Sequence, residues 1–122
     1  MSVICTTYHQ AAYVEEALAS VLDQTYPNVE LIVVDNGSTD DTVARIKGFF
    51  ARRGRSPKAL LLNPQNVGLC RAFNQGLALA SGTYVIDLSG DDVLLPERLA
   101  RQVAVFESLP QTYGVLFSNA RF

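Results

Sequence analysis

The chain has 122 residues, 48% hydrophobic and 18% charged, with a formal net charge of −2. That is enough for one domain with a substantial core, and the absence of a basic surplus argues against nucleic acid as a bulk partner. No apolar run approaches the roughly 18–20 residues that cross a bilayer, and the N-terminus lacks a basic n-region, with Glu15-Glu16 interrupting any signal-like stretch.

Val3-Ile4-Cys5 is short, apolar and β-leaning. Residues 12–24 switch to helical spacing, with Val14, Leu18, Val21 and Leu22 on one face, and Tyr26-Pro27-Asn28 ends that helix. Leu31–Val34 is a continuous apolar run, which predicts a strand covered on both faces. Asp35-Asn36-Gly37-Ser38 stops it sharply. Ser38 and Asp41 have the spacing of a capping box, and a helix is predicted from about Thr39 to Arg52, with Val43, Ile46 and Phe50 inward. The basic cluster Lys47 and Arg52-Arg53-Gly54-Arg55 then reads as a solvated helix end that suits the helix dipole.

Leu60–Leu62 is a third strand. The spacing over 69–80 predicts a helix with Leu69, Phe73, Leu77 and Ala80 inward, closed by Gly82. Tyr84–Leu88 is a fourth strand. Pro96 opens a fourth helix carrying Leu99, Val103 and Phe106, and Gly114–Phe117 reads as a fifth strand. Cys5 and Cys70 share no metal-ligand spacing, and both read as buried, inert thiols in a reducing compartment. Strands and helices alternate throughout 1–122 without repeat or linker. The fold class is therefore α/β: one three-layer α/β/α domain with a mostly parallel sheet.

Ligands of such sheets bind beyond the carboxyl ends of the strands. The polar clusters fall at those ends: Thr6-Thr7-Tyr8-His9, Asp35-Asn36-Gly37-Ser38 and Ser89-Gly90-Asp91-Asp92. No GxGxxG follows the first strand, and no GxxxxGK[ST] loop is present. A diphosphate would then be held through a divalent metal rather than a glycine-rich nest. Mg²⁺ or Mn²⁺ needs only one or two carboxylates when phosphates supply further ligands. A cation joining Asp91 and Asp92 explains how adjacent like charges tolerate each other, and Ser89-Gly90 leaves room for metal and ribose to approach. Alone, the pair also fits a solvated loop before a helix N-terminus.

Three segments carry a resemblance: SVICTTYHQAAYVEEALASVLDQTYPNVELIVVDNGSTDDT, NVGLCRAFNQGLALASGTYVIDLSGDDVLLPERL and GVLFSNA. In this order they resemble the N-terminal, nucleotide-binding part of a family 2 glycosyltransferase with the Rossmann-like GT-A fold. The resemblance implies a hexosyltransferase-like enzyme. It implies transfer of a sugar from a nucleotide-diphosphate donor to an acceptor hydroxyl, with Mg²⁺ or Mn²⁺ and inversion. Thr6 and Tyr8 match positions lining the base pocket, where a Tyr face stacks on a base. Asp35 matches an acidic position that helps hold the nucleoside, and is also a turn-former before Gly37. Asn66, Gly68, Arg71 and Asn74 match the loop and helix near the donor. Asp91 matches the metal-binding Asp of the DxD motif, and Asp92 follows it.

Three departures stand out. Ser89 occupies the place of the first Asp of the DxD. Asn36 replaces the second Asp of the usual DDGS, so an acceptor becomes an amide that both donates and accepts. His9, the sole histidine, replaces the usual Asn after Tyr8 and is read as a loop residue. By the same resemblance the general base and much of the acceptor site lie beyond Phe122, so no catalytic residue is expected in this segment. Binding of donor and metal without efficient turnover is expected. The implied partners are a nucleotide-diphosphate sugar, with a UDP-sugar the expected donor although Asn36 leaves the base open, and a glycan, lipid-linked or other hydroxyl acceptor. Polysaccharide assembly at the cytoplasmic face is the implied setting, with no membrane contact by this segment.

Two rivals from other classes are a receiver-like signalling module and a degenerate nucleotide-binding module without transferase activity. Receivers place an acidic pair after strand one, which here ends Thr-Thr-Tyr-His; Ser89 and Asn36 keep the degenerate module open. A nucleotidyltransferase usually has a glycine-rich basic loop after strand one, and none is present.

Overall fold

The computed structural model describes residues 1–120. The elements are β1 (Ser2–Thr7), α1 (Val14–Leu22), β2 (Glu30–Asp35), α2 (Thr42–Arg53), β3 (Ala59–Leu62), α3 (Leu69–Leu77), β4 (Val85–Ser89) and α4 (Arg98–Ser108). The four strands form one parallel sheet in the order β3-β2-β1-β4. Strand side chains alternate between faces, and both faces of β1 and β2 are covered. Val3, Cys5, Leu31, Val33 and Leu88 join one core with Val14 and Leu18 of α1, Ile46 and Phe50 of α2, and Leu99 of α4. Ile4, Ile32 and Val34 pack against Ala72 of α3 on the other face. Three layers result, as the alternation predicts. No helix is long and apolar enough to cross a membrane among the described residues.

The inward face of α3 differs from the one the spacing predicts. Leu69 is 63% and Leu77 41% exposed, whereas Ala72 and Gly76 are buried. Close approach is the reason: a Cβ added to Gly76 would lie 2.6 Å from Ile4 Cγ2. Only the smallest residues fit where the helix axis comes nearest the sheet, and Phe73 and Ala80 pack at the margin. The helix also ends at Leu77, too early for Gly82 to cap it. Gly82 instead gives its N–H to Ser2 Oγ at 2.8 Å.

The fifth strand expected at 114–117 is absent; these residues carry no strand, and Val115 and Phe117 are exposed. An extended apolar segment becomes a strand only when a neighbour completes its ladder, and among the described residues β4 pairs with β1 alone. Helix α2 starts three residues later than expected. The Ser38 hydroxyl turns back to Asp35, and the Asp40 carboxylate accepts the Thr42 N–H at 3.0 Å instead. Pro96 lies before α4, whose Leu99 N–H is taken by Gln24 Oε1 at 3.0 Å. Cys5 is buried, and burial first, with Asp87 and Asp91 adding, pushes its thiol up to about 12. Cys70 is exposed, contrary to expectation, because it falls outside the Ala72–Gly76 contact face. The basic end of α2 pairs with α1 through Arg52–Glu15 and with Asp23 at its C-terminal end through Arg53.

Glu30 organises the amino end of the sheet. Its carboxylate accepts from Ser2 Oγ (2.6 Å), Lys58 Nζ (2.7 Å), the Ser81 N–H (2.6 Å) and Ser81 Oγ (2.7 Å). Partial burial is the largest single influence and raises its pKa. The bonds from Lys58, Ser2 and Ser81 together outweigh it and hold the carboxyl well below the ordinary range.

This packing has two measurable consequences. Gly76→Val should lower stability by about 2–3 kcal/mol through overpacking, read as a lower urea midpoint with unchanged slope. Glu30→Gln should cost about 1–2 kcal/mol at pH 7 once solvent screening is allowed for. Because the folded pKa is depressed, this contribution is present above the unfolded value of 4.5 and is lost as pH falls below it. Denaturation midpoints of the Glu30→Gln variant should therefore fall less steeply below that pH than those of the parent.

Candidate functional site

The ladders of β1, β2 and β4 end together: Thr7 lies opposite Asp35, and Thr6 opposite Ser89. Beyond these ends, backbone groups no longer find strand partners and must bond elsewhere. Asp35, 1% exposed, accepts Thr7 Oγ1 at 3.1 Å, the Ser38 N–H at 2.9 Å and Ser38 Oγ at 2.6 Å. Ser38 Oγ in turn accepts the His9 N–H at 3.0 Å. His9 has a left-handed backbone (φ 52°), stacks on Tyr8 with ring centroids 4.0 Å apart, and shares a hydrogen bond of 3.0 Å between Nε2 and Thr39 Oγ1. The sole histidine is thus tied into the loop framework.

Asn36 is 5% exposed and holds the β3–α3 loop. Its Nδ2 donates to Asn66 Oδ1 at 3.0 Å, and its Oδ1 accepts the Val67 N–H at 2.9 Å. Asn66 Oδ1 also accepts the Gly68 N–H at 2.9 Å. Gly37 (φ 81°) lets the two loops touch, since a Cβ there would fall 2.6 Å from Asn66 N. An Asp at position 36 would lack the donor that Asn66 Oδ1 receives; the departure at 36 and the Asn at 66 form one pair.

At the β4 end, the Gly90 N–H extends the ladder to Thr6 O at 2.9 Å, and the Asp92 N–H closes a turn onto Ser89 O at 3.0 Å. Ser89 Oγ donates to Asp91 Oδ1 and accepts from Gln10 Nε2 at 3.2 Å. Asp91 and Asp92 are exposed, and no cationic side chain pairs with either among the described residues. Asp87 stands two residues before Ser89 on the same face of β4; desolvation first, and Asp92 second, push its carboxyl up. No three His, Cys, Asp or Glu side chains converge on a metal site among the described residues.

Thr6, Asp35 and Asn36 therefore sit buried at the rim, with Tyr8, 43% exposed, beside them. Asn66 and Gly68 join through Asn36; Ser89, Gly90, Asp91 and Asp92 form the adjoining turn. Arg71 and Asn74 are exposed on α3, one turn apart, and neither side chain takes a hydrogen-bonding partner among the described residues. Sequence reasoning missed Gln10, which connects the β1 loop to the β4 turn, and Asp87, which alternation alone places on the Ser89 face. No local signal marks Gln10; its role comes from contacts across 79 positions of chain.

The family model for glycosyl transferase family 2 matches residues 2–119. The chain belongs to this family. A glycosyltransferase of Nostoc sp. is 38% identical over 88% of this chain and 33% of its own length. One from Haemophilus influenzae is 34% identical over 84% of this chain and 40% of its own. The chain spans about a third of the length of the curated relatives it matches. Among solved structures, Staphylococcus aureus TarS 1–349 in complex with UDP-GlcNAc superposes with a TM-score of 0.76 at 29% identity, over 88% of this chain and 31% of that 1–349 chain. The mannosyltransferase PcManGT from Pyrobaculum calidifontis, in complex with GDP-Man and Mn²⁺, superposes with a TM-score of 0.78 at 29% identity, over 93% of this chain and 33% of its own. These likenesses establish the GT-A fold for this family 2 domain.

Asn36→Ala should cost about 1–3 kcal/mol, because it strands the Val67 N–H and removes the link to Asn66, whose Oδ1 keeps only the Gly68 N–H. Amide exchange at Val67 and Gly68 should accelerate more than exchange in β1, which native-state hydrogen exchange would measure.

Proposed function

We propose that this domain binds a nucleotide-diphosphate sugar with Mg²⁺ or Mn²⁺ and presents its anomeric carbon for transfer to an acceptor hydroxyl, with inversion. The observation that carries the reading is the exposed Asp91-Asp92 pair, without cationic partners among the described residues, on a rim whose residues the sequence resemblance assigns to donor binding. The donor set fits a hard divalent ion: carboxylate oxygens at a solvent-open turn, with too few protein ligands for a closed cage and places left for phosphate oxygens. Asp91 and Asp92 would hold the ion. When bound, it supplies Lewis-acid stabilisation of the departing diphosphate.

The chain's own residues do the rest of the binding. The open face of Tyr8 is available to stack on a base, and its pairing with His9 restrains the ring beforehand. Asp35 and Asn36 spend most of their hydrogen-bonding capacity on the loops, so their contribution is a rigid rim more than free acceptors for a base. Arg71, exposed on α3, is the cation available to a diphosphate oxygen. A stacking Tyr8 accepts either uracil or guanine, and the UDP, UDP-GlcNAc and GDP-Man complexes of the two structural neighbours support both. The catalytic base and most of the acceptor site are assigned to the part of the relatives' length that this chain does not span.

Calorimetric titration with UDP, GDP, dTDP and CDP, each with Mn²⁺ and with EDTA, tests this reading. Metal-dependent binding of one nucleotide is expected. Asp91→Ala should abolish it while changing stability by less than about 0.5 kcal/mol, as for an exposed surface residue. Unchanged nucleotide–Mn²⁺ binding by that variant would overturn the assignment. Failure of all four nucleotides with the folded parent would favour the degenerate module, which the Ser89 and Asn36 departures keep open.

A further inference from the structure

We propose that Gln10 is a positioning residue: acting through Ser89, it fixes the carboxylate of Asp91 for the divalent cation, in place of the first acidic residue that this chain lacks at position 89. The inference rests on the reading of Asp91 as a cation ligand.

The direction of the relay follows from its ends. The Tyr8 N–H can only donate, and it donates to Gln10 Oε1 at 3.3 Å. That orients the amide, so Nε2 faces Ser89 Oγ at 3.2 Å and gives it a hydrogen. Ser89 has one hydroxyl hydrogen, and with Nε2 donating to it, that hydrogen goes to Asp91 Oδ1. The chain of donors therefore runs from the β1 loop to the carboxylate in one sense only. One oxygen of Asp91 is held by the protein, and the other is left for a ligand.

Gln10 is itself anchored. Its N–H donates to Thr42 Oγ1 at 2.9 Å, and Thr42 Oγ1 donates to Asp40 Oδ1 at 2.5 Å. The first turn of α2 thereby fixes the backbone from which the amide reaches the β4 turn. Position 90 is shaped to admit that reach: a Cβ on Gly90 would fall 2.5 Å from Gln10 Oε1 and 2.6 Å from Thr7 Cγ2. Side chains that orient a metal ligand contribute to affinity without touching the ion. A serine is neutral, so holding Asp91 this way adds no third negative charge beside Asp91 and Asp92, where Asp87 already feels Asp92.

The test is Mn²⁺ binding to the 122-residue chain, read from the electron paramagnetic resonance signal of the free ion, with thermal melting of each sample. Gln10→Leu should weaken Mn²⁺ binding about tenfold, the lower end of what such supporting residues contribute. Ser89→Ala should weaken it by a similar factor, and the double variant no further, because both break one relay. That non-additivity separates positioning from a general loss of structure. Parent-like affinity in Gln10→Leu, or in Ser89→Ala should the first variant not fold, overturns the proposal. So do losses that multiply in the double variant. Asp91→Asn should abolish binding; if it binds Mn²⁺ like the parent, the cation assignment of Asp91 itself fails and the relay has no function to serve.

Discussion

At the carboxyl edge of a parallel sheet the backbone runs out of strand partners, and this rim consists of the side chains that replace them. Ser38 Oγ takes the His9 N–H, Asp35 takes that of Ser38, Asn36 that of Val67 and Asn66 that of Gly68. Gln10 takes the Tyr8 N–H, Thr42 that of Gln10 and Asp40 that of Thr42. The N–H groups of Ser38, Val67, Gln10 and Thr42 are part-buried, where an unpaired backbone group is costly, so Asp35, Asn36, Thr42 and Asp40 are needed for the fold before they are needed for a ligand. The same side chains bring three loops, distant in sequence, to one edge. Site and scaffold are therefore hard to separate by mutation at Asp35 or Asn36, and easier to separate at Asp91.

The two ends of the sheet treat carboxylates in opposite ways. At the amino end Glu30 is saturated by Lys58, Ser2 and Ser81, and its pKa falls; it serves as a structural clasp joining β1, β2 and the segments that lead into β3 and β4. At the carboxyl end Asp87, Asp91 and Asp92 crowd one turn with no basic side chain pairing them among the described residues, and the pKa of Asp87 rises. Negative charge is left unbalanced at one end of the sheet while Glu30 is fully partnered at the other, and the proposed cation site draws on that asymmetry. The Gln10–Ser89 relay gives that end its geometric order.

The departures from the family pattern are coupled to their surroundings. Asn36 is an amide where the resemblance implies an acid, and it faces a second amide, Asn66, which accepts from it. Ser89 is a hydroxyl where the resemblance implies an acid, and it stands between Gln10 and Asp91 as both acceptor and donor. Each replaces a negative charge with a group that can donate. Each thereby lowers the electrostatic cost of a rim that already carries Asp35, Asp91 and Asp92.

Apolar periodicity and motifs contiguous in the chain were enough to set the succession of strands and helices, the parallel sheet covered on both faces, the rim at the strand ends and the family. Val14, Leu18 and Val21 of α1, the run Leu31–Val34 and the turn at Asp35–Ser38 were all legible in this way. The inward face of α3 was not, because the closeness of the sheet selects Ala72 and Gly76 over the larger Leu69 and Leu77, and that closeness exists only once the layers have packed. Nor was the lack of a strand at 114–117, since a ladder needs a neighbour that periodicity does not supply. The partners of Asn36, Gln10 and Ser89 likewise emerged only on folding, because a hydrogen bond across 30 or 79 positions leaves no trace in local spacing.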